Sequence, residues 1–328
     1  SALILLATVY IGCEYGGRIS SILLNVPGDA AAIMTAIDGY PMAQQGRGGV
    51  ALSISAVSSF VGSTIAIGGI ILFAPVLAQW SLAFGPAEYF ALMIFAIACL
   101  GSMMAQNPLK SFLAALIGLG LATVGVDANT GVYRFTFDSV HLSDGVQFSV
   151  VVIGLFSVSE ILLMLESTSS GQRLVRKTGR MLFNAKEAGQ CVGATLRSSV
   201  VGFFVGILPG AGATIASAIT YMTEKKLSGN SDTFGKGDIR GVAAPEAANN
   251  ASACGSFIPM LTLGVPGSGT TAVMMGALTL YNITPGPAMF TEQPDIVWGL
   301  IAALLIANVM LLIMNIPLIG LFTRMLTI

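Results

Sequence analysis

Apolar residues run along this chain in long blocks, and polar positions collect in short intervals between them. A membrane-spanning helix needs about 20 mostly apolar residues. Five continuous blocks approach or exceed that length, at residues 50–79, 86–104, 109–126, 148–165 and 296–322. Three further apolar stretches are interrupted: 1–37 at "NVPGD", 191–222 at "LPGAGAT" and 250–282 at "GVPGSGTT". Strands of a membrane barrel would appear as short alternating segments instead. The pattern predicts an all-α polytopic membrane protein in which some helices are broken.

Composition agrees. Hydrophobic residues make up 54% of the 328 and charged residues 9%, against about 25% charged in soluble domains. A net charge of -1 excludes nucleic-acid binding through bulk positive charge. Cys13, Cys99, Cys191 and Cys254 lie far apart without C-x-x-C spacing and read as buried free thiols. The chain starts inside an apolar run with no basic region before it and stops at "LFTRMLTI", so further segments are expected at both ends.

The distribution of Lys and Arg orients the spans. Arg47, Lys110 and the stretch 166–190, with Arg173, Arg176, Lys177, Arg180 and Lys186, alternate with loops poor in basic residues. These basic segments are assigned to the cytoplasm. The loop 283–295 has no basic residue and is assigned outside, after which Arg324 returns the chain to the cytoplasm. The basic stretch 223–248 is also placed in the cytoplasm, which makes 191–222 a re-entrant hairpin turning at Pro209 and 250–282 a broken crossing.

Aligning the two Val-Pro-Gly sequences gives a constant offset of 239 residues. Gly16, Ile19, Leu24, Val26, Pro27 and Gly28 then match Gly255, Ile258, Leu263, Val265, Pro266 and Gly267. By the loop charges, the two copies cross in opposite senses. Inverted repeats with helices broken at matching positions point to a transporter site near the midplane. The chain thus divides into a first half, 1–165, a basic linker, 166–190, and a second half, 191–328.

Proline removes a backbone donor and glycine opens conformations closed to other residues. A break made this way exposes N–H groups at one new helix end and carbonyls at the other, favouring an anion and a cation respectively. Ser20, Ser21, Asn25, Gly28, Gly267, Ser268, Thr270 and Thr271 are the candidate substrate contacts. Asn249, Asn250, Thr262 and Gly264 are the candidate ion contacts. Glu246, Asn249 and Asn250 are placed at the mouth of the second broken helix, where Asn250 is also an N-cap candidate. Arg18 and Arg197 are charges within apolar stretches, hence functional candidates, though both lie near enough to segment ends to snorkel.

Taken together, "YGGRISSILLNVPGDAAAIMTAIDGYPMAQQGRGGVAL", "LPGAGATIAS", "FGKGDIRGVAAPEAANNASACGSFIPMLTLGVPGSGTTAVMMGAL" and "PGPAMF" resemble the large membrane subunit of the tripartite tricarboxylate transporters, the TctA type. The resemblance covers essentially the whole chain. It implies a bacterial inner-membrane permease driven by an ion gradient, usually sodium. It further implies a small membrane partner and a periplasmic solute-binding protein that delivers carboxylates. Sodium is then the expected coupling ion, no other cofactor is expected, and a homo-oligomer is compatible with the reading.

An intramembrane enzyme and an ion channel are the alternatives. The single histidine, His141, falls in the external loop 127–147, outside any bilayer Ser–His dyad. "GSG" at 267–269 lacks G-x-S-x-G spacing, and "GNSDTFGKGD" lacks that of a P-loop. A channel has no evident need for inverted broken helices.

Overall fold

The computed structural model describes residues 2–85, 87–88, 90–91, 94–95, 108–126, 132–143, 145–146, 151, 162, 180–229, 231–281 and 283–325. Its helices are α1 (Ala2–Leu24), α2 (Ala32–Gln44), α3 (Gly48–Ser81), α4 (Pro108–Ala122), α5 (Ala185–Ile207), α6 (Gly212–Leu227), α7 (Arg240–Gly255), α8 (Phe257–Leu263), α9 (Gly269–Leu280), α10 (Met289–Glu292) and α11 (Pro294–Met325). Among the described residues, Gly48–Ser81, Ala185–Ile207 and Pro294–Leu321 are long and apolar enough to cross a membrane. The expected spans 50–79 and 296–322 correspond to α3 and α11. The expected span 109–126 ends as a helix at Ala122, and Gly125–Val126 pairs antiparallel with Tyr133–Arg134. Most of the expected spans 86–104 and 148–165, most of the linker 166–190, and Cys99 lie outside the described residues.

The centre of the fold is α7. Gly241 to Gly255 are all buried, although this helix is rich in Ala, Gly, Ser and Asn rather than in large apolar residues. Small side chains let its neighbours approach backbone to backbone. A Cβ on Gly202 of α5 would stand 2.5 Å from the Ala248 carbonyl oxygen, and one on Gly255 would stand 2.6 Å from that of Phe203. Gly206 meets the Ser252 carbonyl in the same way, one turn along the α5 stripe "GFFVG". Across α7, Gly62 of α3 lies against the Ala247 carbonyl.

Glu246, Asn249 and Asn250 therefore sit inside a helix that starts at Arg240, not at the mouth of one starting near 250. Asn250 does not cap a helix: its Nδ2 donates to the Glu246 carbonyl at 3.2 Å. A run of alanines forms helix readily but carries too little hydrophobicity to mark a span.

Among the described residues, Arg47, Arg180, Lys236 and Arg240 gather at one end of the bundle. Arg47 and Arg180 both pair with Glu187, which also completes a capping box with Asn184 at the start of α5. Asp38, buried on α2, receives three backbone N–H groups, from Gly235, Gly237 and Asp238, each at 2.8 Å, and the Tyr221 hydroxyl at 2.8 Å. That carboxylate ties the loop between α6 and α7 to α2. In this loop, burial works against the charged form of Asp238, yet bonds from Arg240 and Thr233 outweigh it and hold the carboxyl below its usual range. At the opposite end, Ser81 donates to the Thr262 carbonyl at 2.8 Å and Gly264 packs on Pro285.

Consequently α1–α2 leads toward the basic end, whereas α7–α8–α9 leads away from it. α5 and α6 form a hairpin with both outer ends at the basic end, braced by a two-pronged bond from Arg197 to Glu224 at 2.8 and 2.7 Å.

Of the cysteines, Cys191 and Cys254 are buried free thiols as expected, and Cys13 is exposed.

Candidate functional site

The two Val-Pro-Gly breaks fold alike, residue by residue. Asn25 and Gly264 both end a helix in the left-handed region, at φ 59 and 66. Val26 N–H donates to the Ser20 carbonyl at 3.3 Å, and Val265 N–H to the Pro259 carbonyl at 3.2 Å, the residue six positions earlier in each case. Gly28 then folds onto Gly17, and Gly267 onto Ser256, eleven positions earlier. A Cβ on either glycine would lie 2.5 or 2.7 Å from the Cα beneath it. Finally, Asp29 accepts from Ala32 N–H at 2.8 Å, and Ser268 accepts from Thr271 N–H at 3.2 Å, each opening the next helix. Every one of these pairs obeys the offset of 239 residues.

The starts of α2 and α9 flank one stripe of α1. Tyr10, Glu14 and Gly17 are spaced i, i+4, i+7 and so share a helix face. The Tyr10 hydroxyl lies 3.5 Å from Ser268 Oγ, and Gly17 carries Gly28 and the Asp29 carboxylate. Between them, Glu14 stands beside Asn249 of α7 and in the field of Asp29, although no hydrogen bond of normal geometry reaches the Asn249 amide. Glu14 Oε2, Asp29 Oδ2, both polar atoms of Asn249 and Asn250 Oδ1 are buried without a partner. Buried polar atoms are nearly always hydrogen-bonded, so the exceptions at Glu14, Asp29 and Asn249 single out this face of α1 as a candidate site.

One turn further along α1, Arg18 is 1% exposed and does not snorkel. Its guanidinium donates to Ser59 at 3.0 Å and Asn315 at 3.2 Å, and lies 3.7 Å from Glu246. Glu246 in turn accepts from Thr35 at 2.6 Å and Ser59 at 3.0 Å. This network joins α1, α2, α3, α7 and α11. Arg197, by contrast, is half exposed and held by Glu224.

The residues proposed from sequence divide into several groups. Ser20 and Ser21 both donate to the Gly17 carbonyl, and Ser21 Oγ also accepts from Gly28 N–H at 3.3 Å. Asn25 and Gly28 lie on an exposed break, whereas Gly267 is buried, Thr271 is buried within the Ser268 capping box, and Thr270 is exposed. Among the ion candidates, Asn249 faces the α1 stripe and Asn250 bonds its own helix. Thr262 donates to the Ile258 carbonyl at 2.8 Å, and Gly264 shapes the break. Sequence reading left out Tyr10, Glu14 and Asp29. The available signal was one glutamate in an otherwise apolar opening stretch, where a charge is costly. The "LPGAGAT" turn meets the second break directly: Gly210 N–H donates to the Gly267 carbonyl at 3.1 Å.

The family model of the tripartite tricarboxylate transporter TctA family matches residues 1–328. A protein described as an uncharacterized 52.8 kDa protein in the TAR-I ttuC' 3'region of Agrobacterium vitis is 42% identical over all 328 residues. The chain spans 65% of that relative's length. A second, an uncharacterized protein in the TAR-II ttuC' 3'region of the same organism, is 53% identical over 127 residues, 39% of this chain and 52% of that protein. No solved structure matches the chain. With the family model matched from end to end and a relative at 42% identity along the whole chain, this protein belongs to the tripartite tricarboxylate transporter TctA family.

Proposed function

We propose that this chain is part of the large membrane subunit of a sodium-driven carboxylate importer in a bacterial inner membrane. A periplasmic solute-binding protein delivers the substrate and a small membrane subunit completes the complex; no enzymatic step is involved. The single observation that supports this reading is the residue-by-residue likeness of the two breaks, read with α1–α2 running toward the Arg47–Glu187 end and α7–α8–α9 running from the Asp38–Asp238 end toward Ser81 and Pro285. It supports an inverted-repeat carrier, whose ligand binds where the half-helices begin. Two helix starts opening toward one α1 stripe suit an anion, because the helix dipole favours negative charge there.

In this mechanism the hairpin α5–α6 is re-entrant, and its turn moves with the second break through the Gly210–Gly267 bond. Small residues along α7 let the unit slide against its neighbours, giving an elevator-like alternation of access. Asn25 and the Ser268–Thr271 hydroxyls contact the carboxylate or its ion. Loss of one hydrogen bond to a charged ligand costs roughly 1.5–3 kcal/mol, about ten- to a hundred-fold in affinity. Asn25→Ala and Thr270→Ala should raise the half-saturating substrate or sodium concentration by about that factor.

The test is uptake of labelled di- and tricarboxylates into proteoliposomes holding the full transporter and its binding protein. Saturable uptake that collapses with the sodium gradient supports the carrier. Non-saturating flux would favour a channel instead, and chemical conversion of the substrate would favour an enzyme.

A further inference from the structure

Three carboxylates surround the middle of α1, and one has no counter-charge. Glu246 has Arg18 at 3.7 Å and the hydroxyls of Thr35 and Ser59. Asp29 has the Ala32 N–H at the start of α2, where the helix dipole offsets part of a negative charge. Glu14 has neither. Its Oε2 is buried without a hydrogen bond, and no ion pair reaches it among the described residues.

The second observation is independent of these charges. Asn249 is 1% exposed, on a helix enclosed along its length, and neither its Oδ1 nor its Nδ2 has a partner. An amide buried with both ends idle is costly unless a ligand uses it. It lies beside Glu14, which also feels the Asp29 charge; Gly17, lacking a Cβ, leaves the space that the Asp29 carboxylate occupies against α1.

We propose that Glu14, Asp29 and Asn249 hold one monovalent cation on the face of α1 that meets α7, where the two carboxylates outweigh the positive end of α2. Carboxylate and amide oxygens suit a hard cation, and with Asp29 offset in part by the start of α2 the two carboxylates leave a net demand for about one positive charge. The site also explains coupling, in a step that rests on the carrier reading above. With Glu14 bare, a carboxylate substrate at the start of α9 meets like charge in a low-dielectric interior. With the cation seated, that repulsion is removed, so substrate binding follows cation binding.

The experiment is equilibrium binding of radioactive sodium to the purified full-length protein in lipid nanodiscs, without substrate, with choline as the replacement cation. Wild type should bind sodium saturably. Glu14→Gln should weaken binding roughly ten- to a hundred-fold, and Asn249→Ala roughly ten-fold. In choline the Tm of Glu14→Gln should equal or exceed that of wild type, because an unpaired buried charge has been removed. Unchanged sodium affinity in Glu14→Gln overturns the site. So does a wild type that binds no sodium but is stabilised by acid, which would make the ligand a proton. If wild type binds sodium and Glu14→Gln does not, yet proteoliposomes show no sodium-driven carboxylate uptake, the carrier reading fails and the site stands. If uptake by Glu14→Gln keeps its sodium dependence, the site fails and the carrier reading stands.

Discussion

The two Val-Pro-Gly breaks share a backbone and their Val-Pro-Gly core, and differ in the charged and polar side chains around it. At the first, Glu14 and Arg18 occupy the positions that Ala253 and Phe257 hold at the second. Asp29 stands where Ser268 does, and Asn25 where Gly264 does. The first break is exposed, with Val26 58% accessible, while Val265 is 3% accessible in a second break that meets Pro285 through Gly264 and the α5–α6 turn through Gly267. One copy thus supplies charge and the other a neutral, well-packed helix start. A single turn geometry, set by Pro and Gly, serves both, because backbone hydrogen bonds do not depend on the side chains they carry. A site able to bind an ion and a carboxylate needs such unlike halves, since two identical copies would offer two identical charges.

The largest effect should come from the charged position. Glu246→Ala leaves the Arg18 guanidinium buried without its counter-ion and should cost about 3–5 kcal/mol, seen as a steep fall in Tm in detergent. In a double-mutant cycle Arg18→Met should rescue much of that loss. Phe257→Ala, at the matching apolar position, should also cost about 3–5 kcal/mol but add independently to Glu246→Ala. Additivity at both positions would mean that the charged pair is not what distinguishes the first break.

Next come the folded-back glycines. Gly267→Ala forces a methyl onto Ser256 in a buried turn and should cost about 1–3 kcal/mol. Gly28→Ala meets Gly17 as closely, but in an exposed turn free to move away, and should cost less. Equal losses in Tm would show the first break to be as constrained as the second.

A smaller difference is expected where the helices end. Gly264→Ala places a Cβ at positive φ and 2.7 Å from the Pro285 carbonyl oxygen, adding about 1–2 kcal/mol of backbone strain to the clash. Asn25→Gly should change stability by less than about 0.5 kcal/mol, whatever it does to transport. The smallest effect lies at the caps: Ser268→Ala should cost about 1 kcal/mol, and Asp29→Asn, which keeps an acceptor for Ala32 N–H, a few tenths. Thermal unfolding in choline, free of sodium, measures each of these without interference from ligand.

The sequence by itself determined the membrane class, the long helices α3 and α11, and the places where helices break. These follow from local chemistry: long apolar runs require a lipid-like surrounding, and Pro-Gly sequences cannot continue a helix. It also revealed the matching of the two breaks, because a turn built from Val-Pro-Gly needs no distant partner. Only the tertiary structure decided which charges are paired. Whether Arg18 snorkels or meets Glu246 depends on how closely α3, α5 and α7 pack, which is set by Gly62, Gly202, Gly206 and Gly255 touching backbone on another helix. The same packing turned "GVAAPEAANNASACG" from an apparent helix mouth into an enclosed central helix, and it set an idle Asn249 beside Glu14. Hydropathy sums over a local window, whereas the cost of a buried charge depends on what lies across the bundle from it.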